Sequence, residues 1–183
     1  VALEKDPLAS PALLAEAGRD VVLVEEGRHL PTDSSRDHSL EQMDEKWRSG
    51  GLTAALGKPK VTYIEGCCVG GASESNAGLY HAPIGSVLDD WAQDFGIADF
   101  GAEALGPHLD KVVDEIGVSS RPDGFGPASE RMAAGADAMG WRWAEIERFW
   151  KYTEASDGTV VGHRRSMSET MIPRALAAGA RLL

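Results

Sequence analysis

The stretch VTYIEGCCVGGASESNAGLY, residues 61–80, constrains this chain more than any other. Residues 61–64 are β-branched and aromatic, which predicts a strand. That strand enters a loop containing Gly66, Gly70 and Gly71, and the loop opens into a predicted helix with Ser73 as candidate N-cap. Loop amides and a helix N-terminus suit a phosphate or the anionic edge of a cofactor. Asn76 and Gly78 follow, where an amide side chain can bond a planar ring and a backbone can approach it closely. A plain glycine turn capped by a serine fits the same letters. Glycine is also in excess, with 21 in 183 residues, about 11% against a usual ~7%, so close backbone approach is a theme of this chain.

A second segment is AEAGRDVVLVEEG, residues 15–27. It follows a predicted helix over 8–18, in which Leu13, Leu14 and Ala17 share a face and Gly18 is the stop. Residues 21–24 (VVLV) form an unbroken apolar run, which predicts a strand buried on both faces of a parallel sheet. Helix, turn, buried strand and terminal acid match the second half of a βαβ nucleotide-binding unit. The acid in such a unit bonds the ribose hydroxyls, and Glu25 stands in that place. Solvation of a strand end by Glu25 and Glu26 is the alternative.

Residues 28–58 read as a polar excursion with one or two helical turns. Beyond residue 86 the spacing of Leu, Val, Trp and Met predicts three helices, within SVLDDWAQDFG, AEALGPHLDKVVDEIG and GPASERMAAGADAMG. WRWAEIERFW is ambiguous between strand and loop, and SETMIPRALAAGARLL predicts a helix running toward a strand. Asp89, Asp90 and Asp94 read as helix-dipole complements and surface charge. Trp91, Trp141, Trp143 and Trp150 read as core or interface residues. His29, His38, His108 and His163 have no metal-ligand spacing.

The net charge of −11 would repel a phosphate backbone, so no nucleic-acid partner is expected. Mean hydropathy is −0.24. No apolar run reaches the roughly 18 residues of a membrane helix, so no membrane span is expected either. Cys67 and Cys68 are adjacent, which disfavours pairing. The start VALEKDPLAS has no signal-peptide pattern, and the expected compartment is cytoplasmic.

Taken together, DVVLVEEG and GCCVGGASESNAGLYHAP resemble the glucose-methanol-choline (GMC) family of FAD-dependent oxidoreductases. The resemblance implies FAD as cofactor, with Glu25 on the ribose and Gly70, Gly71, Ser73, Asn76 and Gly78 around the flavin. It implies oxidation of a CH–OH group of a small-molecule alcohol by hydride transfer to FAD. His81 becomes a substrate-side candidate. The implied fold is α/β: an incomplete Rossmann-like FAD-binding domain with a parallel sheet, plus a largely helical substrate or cap portion. The expected organisation is a partial FAD-binding domain over 1–85, the helical portion over 86–165 and a return segment over 166–183.

The departures from the family are specific. Its opening G-x-G-x-x-G would fall at Ala2, Glu4 and Pro7, none of them glycine, and Cys67 and Ala82 stand where relatives are often basic. The family's catalytic histidine is expected beyond Leu183. The chain therefore reads as an N-terminal fragment without the first phosphate loop or the catalytic half. In isolation it is expected to be inactive, with unpaired sheet edges that make it marginal or aggregation-prone. A different class of reading is a non-catalytic interaction module on a degenerate GMC scaffold. A weaker one is a serine hydrolase, with Ser73 in Gly71-Ala72-Ser73-Glu74-Ser75 as nucleophile, His163 as base and Asp157 as orienter.

Overall fold

The structure, a computed structural model, describes residues 11–97 and 99–183. Ala2, Glu4 and Pro7 lie outside the described residues. The chain divides into two compact units, residues 11–77 with 165–183 and residues 78–164.

In the first unit, α1 (Pro11–Glu16) leads through Gly18, at φ 74°, into β1 (Val22–Leu23). The return segment supplies α6 (Met171–Ala177) and β6 (Arg181–Leu182). β1 and β6 pair in parallel, Val22 opposite Arg181 and Leu23 opposite Leu182. The ladder extends one step further, since Glu25 N donates to Leu183 O at 3.0 Å. Two helix-then-strand segments thus lie side by side, and the core between them is built of alanines. Ala12, Ala15, Ala175 and Ala180 are buried, with Val21, Leu23, Met171 and Ala178 packed around them. Small side chains let α1 and α6 approach closely at the crossing. Arg174 grips Glu16 across it, with Nη2 at 2.7 Å from Oε2.

The parallel pairing agrees with the α/β expectation, but burial of the run at 21–24 does not. Leu23 is half-buried, whereas Val22 is exposed and Val24 is 80% exposed. Among the described residues β1 pairs with β6 alone, and Val22 and Val24, on one face of the run, stay open to solvent. The strand expected over residues 61–64 forms, outside that sheet. β3 (Val61–Tyr63) pairs antiparallel with β2 (Thr53–Ala55) in a separate hairpin. The excursion before it contains α2 (Leu40–Lys46), capped by the Ser39 hydroxyl accepting from Gln42 N at 3.1 Å.

The second unit holds α3 (Gly85–Phe95), α4 (Ala102–Ile116) and α5 (Pro127–Ala138), with a hairpin of β4 (Trp150–Glu154) and β5 (Val160–Arg164). Trp91 of α3 stacks on Phe100, just before α4. Asp89 on α3 accepts from Ala102 N at 2.8 Å, so its charge serves the start of the next helix rather than its own. The ambiguous aromatic segment resolves into coil followed by β4. Trp91, Trp141 and Trp143 are substantially exposed, while the buried tryptophan is Trp47. Among the described residues no helix is long and apolar enough to cross a membrane.

The alanine crossing makes a testable demand. Ala175→Leu forces a larger side chain into a fully buried site and should cost about 1–3 kcal/mol in denaturant unfolding. Ala134→Leu, on an exposed position of α5, should shift stability by less than ~0.5 kcal/mol. Equal effects at the two sites would contradict the assigned core.

Candidate functional site

The first unit brings Glu25 and the glycine loop together by a backbone crossing. A Cβ on Gly27 would collide with the Cys67 carbonyl and the Cys68 amide nitrogen, so only glycine allows the end of β1 to lie on the loop. Val69 N donates to Arg28 O at 3.0 Å alongside the crossing. The two acids ending β1 then separate by their partners. Glu26 is held by a fork from Arg48, Nη1 and Nη2 each at 3.0 Å, and Arg48 Nε also meets Glu65 at 3.0 Å. The hydrogen bonds and charge of Arg48 hold the Glu26 carboxyl below the usual range. Glu25 is instead oriented by its own turn, with Gly27 N donating to Oε1 at 3.0 Å.

The loop itself has one packed side and one open side. Gly70 and Gly71 both adopt positive φ, 96° and 53°. A Cβ on Gly70 would crowd the Ser168 hydroxyl and the Glu74 side chain, whereas one on Gly71 would meet none of the described residues within 4 Å. Residues 71–74 form a single 3-10 turn with Gly70 as its cap. Ser73 is therefore not a helix N-cap. Its hydroxyl donates to Gly70 O at 2.6 Å and accepts from Met167 N at 2.9 Å, tying the return segment to the loop. Ser168 Oγ adds a bond to Val69 O at 2.8 Å. Those two bonds make the Ser73 hydroxyl a tie between the loop and the return segment. Asp157 serves a turn, accepting from Thr159 N at 2.9 Å.

Beneath the packed side lies a buried ion pair that sequence reading does not reveal. Lys46 and Glu74 are 0% and 1% exposed, with Nζ 3.3 Å from Oε2. The ammonium also donates to Pro31 O at 2.8 Å and Thr32 O at 2.9 Å, so each of its three protons has an acceptor. Thr32 Oγ1 donates to Glu74 Oε1 at 3.2 Å and lies 2.8 Å from Ser166 Oγ. Lys46 O accepts from Cys67 N at 2.7 Å. Lysine is rarely buried, and hydrophobic periodicity passes over a polar buried face. The i, i+4 spacing of Gln42 and Lys46, both fully buried, is the signal that α2 turns this face inward.

The remaining candidates are scattered. Asn76 is exposed just after the turn, its backbone N bonded to Ala72 O at 3.0 Å. Gly78 belongs to the second unit, at φ 67°, and a Cβ there would strike the Trp150 indole. That close approach by itself demands a glycine at this position. His81 is exposed in the second unit. An open apolar hollow of about 290 Å³ also lies in that unit, lined by Phe125, Met132, Ala136, Trp143 and Ile146 among others. Arg148 and Glu145 pair at 2.8 Å within its lining.

Cys67 and Cys68 are both free thiols. Burial, reinforced by the nearby Glu74 charge, pushes the Cys68 thiol up to about 11. Raising a folded-state value favours the neutral thiol. This contribution to stability is therefore complete below the unfolded value near 9.0 and is lost as pH rises through about 11. At pH 8, Cys68 of the native chain should stay unmodified by a disulfide reagent, while the denatured chain reacts at both cysteines. Native labelling of Cys68 at the denatured rate would contradict its burial.

Comparison with known proteins bears on the same residues. Residues 43–183 match the family described as GMC oxidoreductase. A GMC-type oxidoreductase of Sinorhizobium fredii, y4nJ, is 31% identical over 175 residues, covering 93% of this chain and 35% of the relative. The Mycobacterium tuberculosis protein Rv0492c, also named a GMC-type oxidoreductase, is 31% identical over 176 residues, covering 93% and 28% respectively. The long-chain-alcohol oxidase FAO4B of Arabidopsis thaliana is 26% identical over 137 residues, covering 75% and 18%. The chain thus spans about a third or less of the length of the curated relatives it matches. The match over 43–183 takes in the glycine loop, its buried ion pair and the return segment that clamps it, and on that basis the chain belongs to the GMC oxidoreductase family.

Proposed function

We propose that this chain forms the ribose- and flavin-side part of an FAD-dependent oxidoreductase acting on a CH–OH group. The carrying observation is the open face at Gly71, held against the acid-terminated strand by the Gly27 crossing. The residues fit the group in two respects. A positive-φ glycine with empty space above its Cα accepts a flat ring closely. A strand-end carboxylate already oriented by an amide, and not committed to Arg48, suits ribose hydroxyls. In this reading Glu25 binds the ribose, Gly70 and Gly71 seat the ring, Asn76 offers it an amide, and Ser73 braces the loop from behind. Gly78 and His81 take no assigned role.

Bound flavin supplies a hydride acceptor for the alcohol carbon. The residues assigned here bind and orient, and none of them is assigned the substrate proton. The second unit is read as part of the substrate portion. Its apolar hollow favours an alcohol with an apolar body, in keeping with the long-chain-alcohol oxidases among the relatives.

Titration of FAD with the chain, followed by quenching of flavin fluorescence, tests this directly. Saturable quenching is expected. Glu25→Ala should weaken it about 10- to 100-fold, the equivalent of about 1.5–3 kcal/mol for hydrogen bonds to a charged group. Glu26→Ala should leave it nearly unchanged, because that carboxylate is committed to Arg48. No quenching by the wild-type chain would favour the non-catalytic module instead.

A further inference from the structure

We infer that Lys46 and Glu74 are positioning residues for the flavin loop: their buried ion pair sets the seat on which the ring rests, without touching the ring. This rests on the flavin-side reading above and concerns how that same site is held.

The pair joins segments that lie apart in the chain. Lys46 is the last residue of α2, Pro31 and Thr32 belong to the loop after β1, and Glu74 closes the turn that Gly70 and Gly71 open. Thr32 carries the connection on to Ser166 of the return segment. Three separate stretches therefore meet at one ammonium and one carboxylate, and Thr32 joins a fourth to them. Hydrogen bonds are directional, so this junction fixes both angle and distance. Apolar side chains of similar size would fill the volume without fixing either.

The pair also sits directly under the seat. The Glu74 side chain lies directly against the packed side of Gly70, and the next residue, Gly71, carries the open side. A shift of Glu74 therefore has little between it and the seat. Charge matters as well. Glu74 without Lys46 would leave an uncompensated carboxylate under a loop proposed to hold an electron-accepting ring, and Lys46 cancels it at 3.3 Å. A pair that only stabilised the fold would need no place at this loop.

The test compares the full chain with the neutralised double variant Lys46→Met/Glu74→Gln. The measured quantities are the dissociation constant for FAD and, separately, the unfolding midpoint, with binding read under conditions where both proteins are fully folded by circular dichroism. Replacing both members of a buried pair leaves no lone buried charge, so the fold is expected to survive. The expected result is a native far-ultraviolet spectrum with FAD bound roughly tenfold more weakly, the size that loss of an outer supporting residue costs at metal sites. Thr32→Val provides a second variant that keeps both charges and removes the link between Glu74 and Ser166, and it should weaken FAD binding in the same direction. If the wild-type chain binds FAD and both folded variants bind within twofold of it, the inference is overturned and the flavin-side reading stands. If the double variant does not fold, Thr32→Val decides by the same criterion. If the wild-type chain does not bind FAD, the flavin-side reading itself fails, and this inference fails with it.

Discussion

One buried lysine organises the first unit. Its burial would be costly for an unpaired cation, and breaking such a pair by removing one member typically costs about 3–5 kcal/mol. Lys46 escapes that cost because its three protons reach Pro31 O, Thr32 O and Glu74. Lys46 also helps to decide where the glycine loop lies. Its entry is fixed by Cys67 N on Lys46 O, its exit by Glu74 on Lys46 Nζ, and its underside by Ser73 and Ser168. Above Gly71, where a Cβ would stand, no described residue comes within 4 Å. An open face bounded by polar ties is what a flat ligand requires, and it arises here from constraints on the opposite side.

The alanine crossing of α1 and α6 is the other support. It carries little apolar area, because alanine is small, and it sets the parallel pairing of β1 with β6. That pairing delivers Glu25 to the end of a strand, and the Gly27 crossing then brings the loop to Glu25. Each step depends on a residue too small to fill its space otherwise. The glycine excess in the composition is in part a record of these approaches, at Gly27 as much as within the loop.

Much of this was legible in the chain before its structure. The loop at Gly66–Gly71, the acid-terminated strand and the three helices after residue 85 follow from glycine spacing and apolar periodicity. Other features were hidden for identifiable reasons. Burial of residues 21–24 was overestimated because a β-branched run reports what a strand can bury and not what packs on it. Ser73 looked like a cap because serine before a helical run usually is one. Here the run is a single 3-10 turn, and the hydroxyl bonds to Gly70 and Met167 instead. At Gly78 the requirement for glycine includes a close approach by Trp150, 72 residues further along, which no local pattern announces. The Lys46–Glu74 pair and the serines of the return segment were invisible because polar contacts across long sequence separations leave no periodicity.

The account reduces to one claim: the Glu25 strand end and the Gly70–Gly71 loop form a single flavin-facing surface, held from behind by a buried ion pair. Hydrogen exchange of the chain with and without FAD tests it most directly. The account predicts slower exchange over residues 25–28 and 66–76 when FAD is present, with α3, α4 and α5 unchanged. Unaltered exchange over 66–76, or protection confined to those three helices, would contradict it.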